Sequence, residues 1–135
     1  MKFTFSLAAS LFATAAIAAP QNIDEWATKH LDAYKNRCDQ AVEHTRSMSP
    51  ASLEKYCLCK TNKYAEGIGS DQNWEDFREV VQLDNPRASY KYNEVHKIVN
   101  MAELMGQGQC FKVLDEKSQY RVLREVMAET DRTKK

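Results

Sequence analysis

The chain has few of the residues that interrupt regular structure, with four glycines and three prolines among 135 residues. These residues fall in short interruptions, and the sequence has no internal repeat or low-complexity segment. No stretch alternates between apolar and polar residues for long enough to predict a strand. The sequence therefore predicts a single domain built from helices.

An excess of charge of either sign is also absent, because 19 basic side chains balance 19 acidic ones. Removing the first nineteen residues takes away Lys2 alone, which leaves 19 − 1 = 18 basic side chains against 19 acidic ones. A protein that binds nucleic acid usually carries a basic surplus on one face. Nucleic acid is therefore not an expected partner.

The sequence also has no apolar run long enough to span a membrane. Residues 3–17 are apolar, but this stretch of about fifteen residues is shorter than the ~20 that a spanning helix needs. It follows the basic start Met1-Lys2 and ends at Ala16-Ile17-Ala18, an A-x-A cleavage pattern without a nearby cysteine for a lipid anchor. We predict a signal peptide over 1–19, a single helical domain over 20–135, and no membrane span after cleavage.

The four cysteines, Cys38, Cys57, Cys59 and Cys110, all lie in the exported part of the chain. An even count in an oxidising compartment predicts two disulfides. Cys57 and Cys59 point about 200° apart on a helix, so they need different partners. Their facing directions favour Cys38 with Cys57 and Cys59 with Cys110, while Cys38 with Cys59 and Cys57 with Cys110 remains the alternative.

Apolar residues recur at spacings of three and four along the chain, which indicates amphipathic helices. A helix is predicted over residues 23 to about 46, a second from Pro50 until Gly67 and Gly69, a third from the Ser70-Asp71 cap until Asn85-Pro86, a fourth over about 88–105, and a last one after Asp115 that carries Tyr120, Leu123, Val126 and Met127. The expected fold is all-α, a bundle of about five helices stapled by two disulfides.

Two further features concern the fourth and last helices. Gly106 and Gly108 are expected to break the fourth helix, which makes residues 106–109 an exposed loop that lets Cys110 reach its partner. Four methionines are interpreted as fillers of the core rather than as copper ligands. They are Met48, Met101, Met105 and Met127.

Motifs of known catalytic or metal chemistry are missing. The sequence has no Gly-x-Ser-x-Gly, no His-Glu-x-x-His, no phosphate-binding glycine loop and no lone cysteine nucleophile. Cys-x-Cys on a helix differs from the Cys-x-x-Cys spacing of structural zinc sites and redox motifs. We therefore expect no enzyme, no metal and no cofactor.

Binding to another protein is the function class that remains. Arg87, Tyr90 and Tyr92 surround the connection between the third and fourth helices, and arginine with tyrosine is the mixture that protein interfaces favour. These three residues are the candidate protein-binding site. The alternative is that Tyr92 belongs to the core and that Tyr90 is a half-exposed helix residue.

Tyr56-Cys-Leu-Cys59, with Cys38 upstream and a Ser49-Pro50 helix start between them, resembles a loose class of small exported bacterial helical proteins with an aromatic-Cys-x-Cys signature. The resemblance covers residues 37–66. Some small disulfide-bonded helical proteins of the periplasm are immunity proteins that block toxins from neighbouring cells. By analogy we expect an inhibitor or immunity protein in a periplasm.

Two alternatives remain open at this point. One is a carrier of a small apolar ligand or lipid inside the bundle, and the other is a secreted effector or an enzyme of another type. The Ala19-Pro20-Gln21 junction would also suit a fungal secreted protein.

Overall fold

The structure is a computed structural model that describes residues 22–134, so the predicted signal peptide over 1–19 lies outside the described residues. Its elements are α1 (Ile23–Gln40), α2 (Val42–Ser47), α3 (Pro50–Ile68), α4 (Asp71–Val81), a 3₁₀ turn (Pro86–Ala88), α5 (Tyr92–Cys110), a second 3₁₀ turn (Phe111–Val113) and α6 (Glu116–Thr133). No strand occurs among these residues. The prediction of an all-α fold with two disulfides is confirmed.

Side chains cap four of the helices at their N-termini. The capping residues are Asn22, Ser49, Ser70 and Asp115, and each accepts a hydrogen bond from the backbone N–H three residues later. Such a cap satisfies one of the backbone donors that a helix start leaves unpaired. The helix starts predicted at Ser49, Ser70 and Asp115 are confirmed.

α3 and α5 run antiparallel in close contact, and small residues make this approach possible. A Cβ atom on Gly67 would lie 2.7 Å from the Cα of Ala102, and one on Gly106 would lie 3.2 Å from the backbone oxygen of Lys60. Both glycines therefore sit inside helices, where close packing offsets their low helix propensity. The predicted break at Gly106 and Gly108 and the loop over 106–109 are wrong, because α5 continues through them to Cys110.

Two further differences from the prediction concern the end of α3 and the end of α1. α3 passes through Gly67 and ends at Ile68, where it is capped by Gly69, which has a φ of 79° that an L side chain rarely adopts. The single helix predicted to run to about Arg46 is instead two helices, because Ala41 is extended with ψ at 123°. At this break the carbonyl of Cys38 accepts hydrogen bonds from the backbone N–H of Ala41 at 3.3 Å and from the N–H of the His44 ring at 2.9 Å.

The disulfides tie α3 to its neighbours on both sides. Cys38 of α1 pairs with Cys57, and Cys59 pairs with Cys110 at the end of α5, so the connectivity favoured from facing directions is the one observed. Each pair has its Cα atoms 5.7 Å apart. Because Cys57 and Cys59 lie on different sides of α3, the two bonds hold this helix between α1 and α5.

Two apolar clusters form the core. The first contains Tyr34, Tyr64, Ile68, Trp74, Phe77, Val80, Val95 and Ala102, with α1 residues such as Trp26 packed against it. The second contains Cys38, Met48, Tyr56, Cys57, Cys110 and Leu114, with Phe111 and Val122 packed against it. The second cluster is centred on the disulfide between α1 and α3 and lies beside the start of α6.

The methionines occupy different environments from those predicted. Met48 is buried in the second cluster, as expected. Met101, Met105 and Met127 are exposed, so their interpretation as core fillers is wrong. α5 contacts α3 through Ala102 and Gly106, and this tight contact leaves the α5 methionines outside it.

Candidate functional site

α6 is held to the bundle mainly through polar contacts at its start. Asp115 accepts hydrogen bonds from the backbone N–H of Ser118 at 2.8 Å and from the hydroxyl groups of Ser52 and Ser118. The hydrogen bond from Ser52, followed by those from Ser118, holds the pKa of Asp115 well below its usual range. The first turn of α6 is therefore anchored to the first turn of α3 by an ionised carboxylate.

C-terminal to Asp115, the side of α6 that faces the bundle carries two polar residues and one valine. Ser118 is buried, Val122 is half-buried, and Glu125 accepts a hydrogen bond from the Ser47 hydroxyl at 2.5 Å. These residues are four and three positions apart, so they form one stripe along the helix. The stripe that contacts the bundle is therefore not the most apolar stripe of α6.

The apolar stripe of α6 lies on the surface. Its exposed fractions are 67% for Tyr120, 51% for Leu123, 58% for Val126 and 67% for Met127. We call these four residues the α6 apolar face. Isolated exposed apolar residues are ordinary, whereas a contiguous row on one amphipathic helix marks a surface that another molecule can cover.

The three predicted binding residues near the connection between α4 and α5 lie in different environments. Arg87 is exposed in the first 3₁₀ turn and Tyr90 is 87% exposed, whereas Tyr92 packs against the first cluster and stacks on His96. Lys91, between the tyrosines, forms ion pairs with acidic residues of α4. Of these three residues, Arg87 and Tyr90 are exposed to solvent and Tyr92 is half-buried.

A partly buried polar cluster links α1, α3 and α5. Glu103 accepts hydrogen bonds from the Tyr34 hydroxyl at 2.5 Å and from Lys60 Nζ at 2.8 Å. Burial opposes ionisation of Glu103, but the hydrogen bonds from Lys60 and Tyr34 outweigh it and lower its pKa. Burial and the neighbouring Glu103 raise the pKa of Tyr34, so this hydroxyl stays a donor. The arrangement suits a structural ion pair better than proton transfer near neutral pH.

Aromatic rings surround His30 in the same region. The ring stacks on Trp26 at 5.3 Å and meets the edge of Phe77 at 4.9 Å, and its Nε2 lies 3.3 Å from the Tyr64 hydroxyl. Burial, with a smaller contribution from the positive charge of Arg37, lowers the pKa of His30. Burial also raises the pKa of Tyr64 to about 12. The neutral imidazole therefore packs, half-buried, against aromatic rings of the first cluster.

Among the side chains that the structure describes, one group has the composition of a metal site. The ligand atoms of Cys38, His44 and Cys57 lie within 4.8 Å of one another. Both sulfurs are bonded to each other in a disulfide, and a metal requires the thiolate form of cysteine. In the oxidised protein the two cysteines therefore pack as part of the second cluster, and the His44 ring meets the edge of Tyr56 there.

Within the described part of the chain, no helix combines the length and the apolar character needed to cross a membrane. Comparison with protein-family models, with curated proteins and with solved structures finds no match for this chain. The function must therefore be argued from the surface itself.

The α6 apolar face is the feature that the sequence reasoning did not single out as a site. Its four residues were placed on the last helix, and their spacing is visible in the sequence. Periodicity identifies an apolar face but not what covers it. The mixture of arginine and tyrosine that interfaces favour predicted a binding site at Arg87, Tyr90 and Tyr92 instead.

Proposed function

We propose that the protein is a non-enzymatic binding protein of an oxidising, extracytoplasmic compartment and that the α6 apolar face binds another protein. The observation that supports this function is the exposure of Tyr120, Leu123, Val126 and Met127 along one helix. An amphipathic helix that lays such a row into an apolar groove of its partner is a recurrent mode of protein recognition. Leu123 and Met127, one helical turn apart, are the central anchors.

The rest of the molecule suits this function because it fixes the position of α6. The two disulfides hold α1, α3 and α5 together, and the Asp115 hydrogen bonds attach α6 to that frame. Presenting a helix on a rigid frame reduces the conformational entropy lost on binding. The most concrete form of the proposal is an inhibitor or toxin-immunity protein in a periplasm, by analogy with other small disulfide-bonded helical proteins.

The experiment uses the oxidised protein as bait to capture its partner from an extract of the compartment in which the protein occurs. We expect the double variant L123D and M127D to bind the captured partner at least tenfold more weakly, since truncating central apolar anchors costs about 1–4 kcal/mol each. The matched control is M101D with L104D, which changes two exposed apolar residues of α5. The control is expected to bind like the unchanged protein.

Two outcomes would count against the proposal. Equal capture by the α6 variant would place the interface elsewhere, with Arg87 and Tyr90 as the next surface to change. A dimer that the α6 variant dissociates would identify a second copy of the chain as the occupant. For the immunity role, the captured partner must be a toxin whose activity the protein blocks, and a toxin gene is expected beside its own.

The alternative of a carrier with its ligand inside the bundle is less well supported. Trp26, Trp74 and Phe77 of the first cluster and its margin pack around the half-buried ring of His30. A groove of about 770 Å³ lies instead between α6 and the bundle.

A further inference from the structure

The side chains of Cys38, His44 and Cys57 meet where α1, α2 and α3 come together. Their ligand atoms lie within 4.8 Å of one another, and Nδ1 of His44 lies 3.6 Å from Sγ of Cys38. Zinc binds sulfur at about 2.3 Å and imidazole nitrogen at about 2.0 Å, so these two ligands of a tetrahedral site are about 3.5 Å apart. The His44 ring is therefore already at a ligand's distance from Cys38.

The His44 ring is held beside the sulfurs by contacts that do not depend on the disulfide. The extended backbone at Ala41 ends α1, and α2 then brings His44 back towards the last turn of α1. The ring N–H at Nδ1 donates to the carbonyl of Cys38 at 2.9 Å, and the ring meets the edge of Tyr56 with the two centroids 5.4 Å apart. An imidazole fixed in this way stays next to Cys38 after the bond to Cys57 opens.

A cleft gives access to this group of side chains from solvent. It has a volume of about 620 Å³, lies between α1 and α5, and has Cys38 and His44 in its wall. Cys38 is 6% exposed, whereas Cys57 is fully buried. A reductant or an ion therefore reaches the disulfide from the side of Cys38.

We propose that Cys38, His44 and Cys57 bind a zinc ion when the bond between the two cysteines is reduced. A dithiol reductant supplies two electrons and two protons, so the bond opens to two thiols and the reductant becomes a disulfide. Zinc then displaces the two thiol protons, which pass to solvent, and the Nδ1 proton of His44 moves to Nε2 through water. Water from the cleft fills the fourth position of a tetrahedral site.

A zinc ion at this position takes over the structural role of the bond. Joining Cys38 and Cys57 through a metal closes the same stretch of chain that the disulfide closes, with a sequence separation of 19. The other cysteine pair lacks this alternative, because no histidine or carboxylate that the structure describes completes such a group with Cys59 and Cys110. Zinc is therefore expected to stabilise the reduced protein through one cysteine pair only.

The test is titration of the reduced protein with Co²⁺, a spectroscopic substitute for Zn²⁺, in the absence of oxygen and with a phosphine that keeps the thiols reduced. We expect a single equivalent of Co²⁺ to produce thiolate-to-cobalt absorption and the visible bands of tetrahedral cobalt, and Zn²⁺ to abolish both. The oxidised protein is expected to show neither. Urea denaturation of the reduced protein should give a higher midpoint with Zn²⁺ than with Mg²⁺, which prefers oxygen ligands.

Paired cysteine variants identify the sulfur ligands. C38A with C57A is expected to lose the thiolate-to-cobalt absorption and the stabilisation by Zn²⁺. C59A with C110A, which removes the other pair, is expected to keep both. Circular dichroism with and without Zn²⁺ checks that each reduced variant keeps its helices.

Substitution of His44 tests the nitrogen ligand in the otherwise unchanged chain, so it remains informative if a cysteine variant does not fold. H44A is expected to weaken Zn²⁺ binding at least tenfold, because even the loss of a residue that only orients a zinc ligand costs about tenfold or more. H96A is the control, since His96 is exposed on α5 and outside the group. It is expected to bind Zn²⁺ like the unchanged protein.

Absence of the cobalt bands in the reduced protein would overturn the proposal, as would equal Zn²⁺ affinity in H44A and the unchanged protein. Full binding by C38A with C57A, or by the oxidised protein, would also overturn it and place the ion on other side chains. This inference goes beyond the protein-binding function, because none of its ligands belongs to the α6 apolar face. The capture experiment uses the oxidised protein, so failure of one proposal can be distinguished from failure of the other.

Discussion

At the scale of single residues, the partly buried ionisable groups make the stability of the fold depend on pH. His30 lies among aromatic rings, and burial lowers its pKa, so the folded protein takes up a proton at this ring less readily than the unfolded chain does. Glu103 is held ionised by Lys60 and Tyr34, so its folded pKa is also lowered. Both groups therefore favour unfolding as the solution becomes more acidic.

We predict that the free energy of unfolding decreases in two stages on acidification. The contribution of His30 is fully present above its ordinary pKa of 6.5 and is lost as the pH falls below that value towards the lower folded pKa. The contribution of Glu103 is present above its ordinary value of 4.5 and is lost as the pH falls through its lowered folded pKa. Urea denaturation at several pH values from 7 to 3 measures both stages.

The variant H30F should flatten the upper stage and leave the lower one in place. H96N is the matched control, because His96 is exposed on α5. A pH profile of H30F that coincides with that of the unchanged protein between pH 7 and 5 would show that His30 does not cause the upper stage.

At the scale of the elements, the contact between α3 and α5 organises the bundle. Gly67 and Gly106 allow the two helices to approach, and the bond between Cys59 and Cys110 joins them. Both glycines look like helix breakers in the sequence, since isolated glycines disfavour helices by about 1 kcal/mol. Here the packing of the two helix backbones outweighs that preference.

We predict opposite effects for the same substitution at two glycines. G67A should lower the free energy of unfolding by about 1–3 kcal/mol, because its Cβ would lie 2.7 Å from Ala102 and the helices would have to separate. G108A should raise it by about 0.5–1 kcal/mol, because Gly108 is in α5 with no atom within 4 Å of an added Cβ. Thermal and urea denaturation of the two variants measure the difference, and a stabilising G67A would contradict the close approach.

At the scale of the whole molecule, the disulfides restrict a small domain whose last helix adds little to the core. The bonded cysteines are 19 and 51 residues apart. In the chain-entropy description, closing loops of these sizes stabilises the fold by about 3 and 4 kcal/mol. These values are a large share of the ~5–15 kcal/mol that is typical of a whole domain.

We therefore predict that reduction destabilises the protein strongly and that removing the Cys59–Cys110 bond costs about as much as, or slightly more than, removing the Cys38–Cys57 bond. The measurement is urea denaturation of the oxidised protein, the reduced protein and the two paired Cys→Ala variants. The oxidised, unchanged protein is the reference. A reduced sample whose urea midpoint coincides with that of the oxidised protein would contradict the prediction.

Much of this architecture could be predicted from the sequence because it depends on local pattern. The apolar spacing predicted the helices, Ser49, Ser70 and Asp115 were recognisable as caps, and the 200° separation of Cys57 from Cys59 favoured the observed pairing. Each of these features arises within a few residues of chain or along one helix. Local sequence is sufficient for such features because backbone hydrogen bonding and helix geometry are local.

Only the tertiary structure decided which helical faces are covered. Gly106 continues a helix because α3 lies against it, and the α1–α2 break at Ala41 accompanies the contact between His44 and Cys38. The apolar row of α6 is exposed because the Asp115 and Glu125 hydrogen bonds turn the other side of the helix towards the bundle. The sequence alone determined a helical chain with two disulfides, whereas the surfaces available for binding depended on long-range contacts that no local pattern encodes.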